Sequence, residues 1–284
     1  MHVYMPLSIT SLNSGSNGNC YYIGNETEAV LVDAGISCRE TEKRMQRLGL
    51  SMHRVKAIFV SHEHSDHIRG LKVLAKKYAL PVYITPFTQR GARMSCDGVH
   101  VLPFTAYEPV QVGSLSIRPF PKMHDAADPH SFVVSAEGIN IGVFTDIGAP
   151  CEHVIRHFQE CHAAFLEANY DEDMLDRGRY PYYLKQRIRG GRGHLSNRQA
   201  LSLFSAYKPA HMSHVLLAHL SKDNNCPRLV KELFSQHAAG TEVVVASRFE
   251  ETAVYQIIAG AVPVNTGGPA VRSATAGVQT AFAF

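Results

Sequence analysis

The sequence contains no pair of cysteines at Cys-x-x-Cys spacing, although it has six cysteines. They are scattered along the chain at Cys20, Cys38, Cys96, Cys151, Cys161 and Cys226. This scattering gives no support to a zinc site built from cysteines and is typical of reduced, mostly buried thiols. We therefore expect a cytoplasmic protein whose fold does not depend on disulfides.

The sequence also lacks any apolar run long enough to cross a membrane. Residues 1–10 have no basic start followed by a long apolar stretch, so we expect neither secretion nor membrane insertion. With 284 residues, 45% of them apolar, the chain can bury the core of one large domain. We assign that domain to residues 1–262 and expect residues 263–284, rich in Gly, Ala and Thr, to form a disordered tail.

A strong net charge is missing as well, since the formal charge is only +3. The basic residues are nevertheless concentrated between Arg177 and Arg198, where tyrosines are interleaved and no acidic residue occurs. Such a segment suits phosphate contacts and base stacking, but a solvated basic surface would have the same composition. The candidate substrate-binding residues in and beyond this segment are Arg187, Arg189, Arg192 and Asn225.

The most informative segment is His62-Glu63-His64-Ser65-Asp66-His67, which places four side chains that can bind metal within six positions. Imidazole nitrogens and carboxylate oxygens are ligands for zinc-like divalent ions. The segment follows an apolar, β-branched run at 56–61 and precedes apolar residues at helical spacing from Ile68 to Tyr78. We therefore place the ligands on a strand-to-helix loop. The alternative is a polar loop that is rich in histidine by chance.

Further predicted strands end at, or just before, residues that can bind metal. These residues are Asp33, His124, Asp146, Glu167 and His219. Their recurrence indicates loops that converge on one edge of a sheet. The strands alternate with helices, as in α/β proteins, and 131–136 and 139–146 are predicted to pair as a hairpin. The Gly-rich residues 13–19 match no phosphate-binding spacing, and we interpret them as a tight turn, with a position near the site left open.

Taken in order, these residues resemble the five motifs of the metallo-β-lactamase superfamily. The resemblance covers about residues 7–258 and implies an αββα sandwich, in which two mixed sheets are flanked by helices. The implied ligands are His62, His64 and His124 for one ion, Asp66, His67 and His219 for a second, and Asp146 between them. Asp33 would anchor the histidine loop from outside the ligand shell.

Two further residues, Glu167 and His194, resemble the Glu and His pair of the phosphodiesterase branch of this superfamily. The segments 14–19, 193–197 and 219–225 are similar to the WalJ/YycJ group of metal-dependent 5′-to-3′ exonucleases. The resemblance implies a dinuclear phosphodiesterase that acts on DNA in preference to RNA. Zinc, manganese or iron would suit its mixed nitrogen and oxygen ligands. Residues after about Ile258 have no counterpart in that group.

The expected catalytic residues are Asp66, His194 and Glu167. Two cations held in part by Asp66 can convert a bridging water into hydroxide. His194 would protonate the departing alkoxide, while Glu167 would fix its tautomer and keep a proton on it. Alternatively, His194 caps the helix predicted from Leu195. Two other functions stay open, namely hydrolysis of a small thioester, lactone or phosphoester, and metal-bound regulation or nucleic-acid binding without catalysis.

Overall fold

Two seven-stranded mixed β-sheets form the centre of the protein. The computed structural model describes residues 5–93 and 97–259, so the tail predicted at 263–284 lies outside the described residues. The first sheet contains β1 (Leu7–Asn13), β2 (Cys20–Gly24), β3 (Ala29–Val32), β4 (Val55–Phe59), β5 (Val82–Tyr83), β6 (Val101–Leu102) and, beside β1, β14 (Tyr255–Ile257). The second contains, in spatial order from one edge, β7 (Val110–Val112), β8 (Leu115–Pro121), β9 (His130–Ala136), β10 (Ile139–Phe144), β11 (Ala163–Glu167), β12 (His214–Ala218) and β13 (Glu242–Val245).

Helices flank the two sheets in the described part of the chain. They are α1 (Cys38–Arg47), α2 (Ser65–Ile68), α3 (Leu71–Tyr78), α4 (Pro86–Gly91), α5 (Glu152–Phe158), α6 (Glu172–Arg177), α7 (Tyr182–Arg189), α8 (Asn197–Tyr207) and α9 (Pro227–Ser235), with a 3₁₀ turn at Met52–Arg54. None of the helices in the described part of the chain is both long and apolar enough to span a bilayer. The predicted αββα sandwich is confirmed.

Three apolar clusters hold these layers together. Inward-facing residues of both sheets, such as Phe59 and Phe132, form the central cluster. A second cluster joins the first sheet to α1 and α3 through Met45 and its neighbours. A third joins the other sheet to α5, α8 and α9, where Phe204 packs against Phe234. Each sheet is thus packed against apolar residues on both of its faces.

The carboxyl ends of several strands meet at one edge of the sandwich. Strands β3 to β6 are mutually parallel, as are β10 to β13, and β8 runs in the same direction as β10 because both are antiparallel to β9. Three residues within two positions of the ends of these strands adopt left-handed backbone angles: Asp33 with φ 62°, Asp146 with φ 54° and His219 with φ 56°. Such angles are uncommon for residues other than glycine and concentrate at functional sites.

The predicted hairpin is present, with the turn residues Glu137 and Gly138 both at positive φ. The helix predicted from Ile68 to Tyr78 is instead divided into α2 and α3 at Gly70. The division follows from a close approach of two backbones, since a Cβ atom on Gly70 would lie 1.8 Å from the carbonyl oxygen of Ile36. In addition, Asp66 and His67 lie in the first turn of α2, not on the loop where we placed the whole motif.

Gly35 is the position at which the loop after β3 meets α2. Its N–H donates to the carbonyl of Asn19 at 2.8 Å, and an added Cβ would lie 1.6 Å from the carbonyl oxygen of Asp66. We expect Gly35→Ala to lower the free energy of unfolding by about 2 kcal/mol, because the two backbones must move apart. Urea denaturation measures this change. Gly191→Ala is the matched control, since no atom lies within 4 Å of its added Cβ; equal stability of the two variants would contradict the expectation.

Candidate metal centre

The structure brings all seven predicted metal ligands to the shared edge of the two sheets. His62 and His64 lie on the loop between β4 and α2, and Asp66 and His67 lie on α2. The other three follow β8, β10 and β12. Possible ligand atoms fall within 4.8 Å of one another in groups that include His62, His64 and His124; Asp66, His67 and His219; and His62, His67 and Asp146. Two ligands of one zinc-like ion can be at most about 4.6 Å apart, so only small movements would close these groups on a metal.

The histidine rings are oriented as metal ligands usually are. His124 has its Nδ1 atom 3.0 Å from the carbonyl oxygen of Gly193, and His219 has its Nδ1 atom 3.0 Å from Oε1 of Glu167. The Nε2 atoms of both rings are buried, and neither has a hydrogen-bond partner among the described residues. Metal-binding histidines typically donate one ring N–H to an oxygen outside the shell and present the other nitrogen to the metal. The donor set therefore fits divalent metal ions.

Asp33 holds the loop that carries His62 and His64 in place through hydrogen bonds to Ser61. Its Oδ1 atom accepts a hydrogen bond from the backbone N–H of Ser61 at 2.8 Å, and its Oδ2 atom accepts one from the Ser61 hydroxyl at 2.8 Å. The same Oδ2 atom lies 2.7 Å from Nδ1 of His67. The Ser61 hydroxyl is in turn 2.9 Å from Nδ1 of His62. One buried carboxylate thus orients two histidines, directly or through a single hydroxyl.

The pKa values of the buried histidines divide the cluster into two electrostatically different halves. Burial alone would lower the pKa of His67, but the carboxylates of Asp146 and Asp33 outweigh it and raise this pKa to about 10. The pKa of His219 is also raised, because Asp146 again outweighs burial. Burial dominates at His124, whose pKa falls to about 4. The side of the cluster around His67 and His219 therefore carries an excess of negative charge, which a divalent cation would balance.

The Gly-rich residues 13–19 contribute contacts that the sequence did not indicate. Asn19 has its Nδ2 atom 3.2 Å from Oδ2 of Asp66 and 3.1 Å from Nε2 of His67. The Ser14 hydroxyl accepts from the backbone N–H of His219 at 2.7 Å and is 2.8 Å from the Tyr21 hydroxyl. Tyr21 in turn donates to Oδ1 of Asn19 at 3.1 Å. This network connects proposed ligands from both sheets, so the segment that we interpreted as a turn does lie at the site, although its individual contacts were not predicted.

Glu167 and His194 form a close pair beside the cluster. Oε1 of Glu167 lies 2.8 Å from Nδ1 of His194 and also contacts His219, while Oε2 accepts the backbone N–H groups of Ile147 and Leu195 at 2.7 and 3.2 Å. Burial would raise the pKa of Glu167, but His194 and His219 outweigh it and lower this pKa to about 2. Glu167 is therefore an ionised carboxylate at neutral pH that serves two histidines at once.

His194 does not cap α8, which was the alternative reading of its position. Ser196 performs that role, because its hydroxyl accepts from the N–H of Gln199 and the Gln199 side chain bonds back to the Ser196 backbone. The ring of His194 instead faces the cluster, with its centroid 5.3 Å from that of His124 and 5.2 Å from that of His219. Its side chain is 21% exposed, so the ring reaches the cavity above the cluster.

That cavity has a volume of about 250 Å³, and α7 forms part of its wall through Leu184, Arg187 and Ile188. The helix was not predicted, because Leu184 and Ile188 are the two aliphatic residues at helical spacing on it and none of its residues is buried. Arg187 pairs with Asp125 at 2.5 Å on the cavity wall.

The other candidate substrate residues are engaged elsewhere. Arg192 donates to the carbonyl of His124 at 3.3 Å, and Arg189 pairs with Asp176. Asn225 is buried, and its amide donates to the carbonyls of Ala168 and Asn169 at 2.8 and 3.0 Å. Asn225 does not line the cavity above the cluster, but it does line the neighbouring cavity beside β12 and β13, and a substrate contact for it stays a prediction.

We expect Asp33→Asn to weaken metal binding by about 10- to 100-fold, because an amide nitrogen cannot accept from Ser61 or His67. Asparagine tolerates the left-handed backbone of this position about as well as aspartate, so the strain is unchanged. Titration against a competing chelator measures the affinity. Asp176→Asn, which alters an exposed ion pair, is the control. Unchanged affinity in Asp33→Asn would refute the anchoring role.

Comparison with known proteins agrees with this geometry. Residues 28–219 match the model of the β-lactamase superfamily domain. Exodeoxyribonuclease YycJ of Bacillus anthracis is 34% identical, over 82% of this chain and 89% of its own. Exodeoxyribonuclease WalJ of Streptococcus pneumoniae is 29% identical, over 84% and 91% respectively. The metallo-β-lactamase fold protein YhfI from Bacillus subtilis superimposes with a TM-score of 0.68 at 16% identity, over 88% of this chain and 99% of that one. The chain therefore belongs to the metallo-β-lactamase superfamily, in the group that includes YycJ and WalJ.

Proposed function

We propose that the protein is a metal-dependent phosphodiesterase of the cytoplasm that degrades DNA from the 5′ end. The observation that carries this proposal is the Glu167–His194 pair, which lies beside the metal cluster with the His194 ring exposed to the cavity. A proton donor at this position serves a reaction whose leaving group is a poor one, such as the alkoxide of a phosphodiester. The exodeoxyribonuclease names of the two relatives support DNA as the substrate.

We assign two divalent cations, zinc or manganese with iron as a third candidate, to the seven ligands. One cation would be held by His62, His64 and His124, the other by Asp66, His67 and His219, with Asp146 shared between them. Bound there, the cations would acidify a water molecule and polarise the phosphoryl oxygens of a phosphodiester.

The protein side chains contribute proton transfer and orientation. Because Nδ1 of His194 donates to Glu167, its Nε2 atom is left to carry a proton toward the departing oxygen. The carboxylate of Glu167 thereby fixes the orientation of the His194 ring. Partial exposure of His194 lets the ring recover a proton from solvent after each turnover. Asp66 is a ligand whose carboxylate also lines the cavity, where the attacking water must lie.

The surface around the cavity favours a polymeric substrate over a small thioester, lactone or phosphoester. Tyr182 and Tyr183 on α7 are 77% and 74% exposed, and Arg187 on the same helix reaches the cavity. A small substrate enclosed in its pocket would not need exposed aromatic and basic side chains on a helix that forms part of the pocket wall.

The proposed function is tested with end-labelled single- and double-stranded DNA and RNA. Protein stripped with a chelator should be inactive, and reloading with zinc or manganese should restore shortening of DNA from its 5′ end. Asp66→Ala, which removes a proposed ligand at the cavity, should be inactive although its circular dichroism is unchanged. Nuclease activity that survives in this variant, or a chelated wild type that still cleaves DNA, would contradict the proposal.

We expect His194→Ala to slow cleavage of DNA by about 10²- to 10⁴-fold but to leave bis-p-nitrophenyl phosphate hydrolysis nearly unchanged, because nitrophenolate departs without a proton. Bound metal, measured by elemental analysis, should stay at the wild-type level. Equal slowing of both substrates, or loss of metal, would instead make His194 a ligand or a structural residue.

Glu167→Gln should impair both proton donation by His194 and metal binding, whereas His194→Ala should impair proton donation alone. An amide cannot accept all four hydrogen bonds that the carboxylate accepts, and one of them orients His219. The variant should therefore show the same dependence on the leaving group as His194→Ala and also bind metal about 10- to 100-fold more weakly. Chelator titration separates the two effects; normal metal affinity would show that Glu167 acts on His194 alone.

A further inference from the structure

A second cavity of about 350 Å³ adjoins the metal centre on the side of β12 and β13. It lies between the turn after β12, which carries Ser221 and Lys222, and the loop after β13, which carries Arg248 and Phe249. Ser221 lines both this cavity and the one above the cluster. Nothing in the chemistry described so far uses the second cavity.

The Gly-rich residues 13–19 contribute to the walls of both cavities. Ser16 lines the cavity above the cluster and Ser14 lines the second one. The hydroxyl of Ser14 accepts directly from the backbone N–H of the proposed ligand His219. A group that contacts Ser14 in the second cavity would therefore be connected to the proposed ligand His219 through a single residue.

The loop after β13 is held in place by buried polar contacts. Arg44 on α1 is buried and donates to the carbonyls of Leu12 and Phe249 at 2.7 and 3.0 Å. Asn17 donates to the carbonyl of Arg248 at 2.8 Å. Even so, the Phe249 side chain is 74% exposed. A fixed backbone that holds an apolar ring in water at the wall of a cavity indicates a binding surface.

The charges of this cavity suit an anion. Lys222 and Arg248 line it, and no ion pair is found for either side chain within residues 5–93 and 97–259. Glu250 is the acidic residue on the wall, which leaves the cavity with a positive excess. Basic side chains beside an exposed aromatic ring are the combination with which proteins bind single-stranded nucleic acid, since the cations contact phosphates and the ring stacks on a base.

We propose that the second cavity binds a nucleotide next to the scissile phosphodiester, with its phosphate at Lys222 and Arg248 and its base stacked on Phe249. This inference rests on the proposed nuclease function and adds a substrate subsite to it. The subsite would hold the strand while the neighbouring linkage lies over the metal centre. It therefore affects binding of a polynucleotide but not hydrolysis of a substrate that lacks a flanking nucleotide.

The test compares two substrates on the metal-loaded full chain, a single-stranded oligonucleotide and bis-p-nitrophenyl phosphate. Lys222→Ala, Arg248→Ala and Phe249→Leu should each raise KM for the oligonucleotide, the last by about tenfold, and leave the nitrophenyl substrate unaffected. Phe249→Tyr should restore binding because it keeps an aromatic face. The log–log salt dependence of the oligonucleotide KM should decrease by about 0.7 for each cation removed.

Lys56→Ala is the matched control, because this exposed lysine is near the amino end of β4, away from the metal edge of the sheet. It should change neither substrate. If the wild type degrades DNA but the three variants keep its KM and salt dependence, the subsite is wrong and the nuclease function stands. Slowing of the nitrophenyl substrate in these variants would also overturn the subsite, since it would indicate a structural role. A wild type that hydrolyses only the nitrophenyl substrate would refute both proposals.

Discussion

The proposed metal centre depends on the hydrogen bonds of the Asp33 carboxylate to Ser61 and its contact with His67. This carboxylate joins the end of β3 to the end of β4, and it sets the ring of His67 directly and that of His62 through one hydroxyl. A carboxylate can do this only if its own backbone turns sharply out of the strand, which is why Asp33 adopts φ 62°. The strain of a left-handed backbone is of order 1 kcal/mol, and buried hydrogen bonds to a charged group offset it.

The two sheets meet at this edge through polar contacts as well as through their shared apolar core. Each sheet supplies part of the ligand set, so small relative movements of the sheets would separate the ligands. The series of hydrogen bonds from Ser14 through Tyr21 to Asn19 opposes such movements. It connects the backbone of His219, at the end of β12, to Asp66 and His67 beside the other sheet. Precise placement of the ligands is thus a property of the buried network, not of the loops taken singly.

Much of this arrangement could be predicted from the sequence because ligand residue types recur where strands end, and parallel strands bring such ends together. Other features depend on contacts between distant parts of the chain and leave no local pattern. The division of α2 from α3 arises where Gly70 meets the carbonyl of Ile36. The role of Asn19 depends on residues some fifty positions away, and α7 lacks a buried face from which a helix could be inferred. The hydrogen bonds from the Asn225 amide to the carbonyls of Ala168 and Asn169 likewise join positions more than fifty residues apart.

Glu167 contacts two histidines of the site, which constrains its substitution more than that of His194. Its Oε1 atom contacts both His194 and His219, and its Oε2 atom is taken by two backbone N–H groups. A substitution that alters the charge or position of this carboxylate therefore acts on the proton donor and on a proposed metal ligand together. His194 could be replaced without disturbing a proposed ligand, but Glu167 could not, because it also orients His219. The proposed proton donor is thus the part of the site that can vary between reactions, whereas the carboxylate of Glu167 is constrained by its contact with His219.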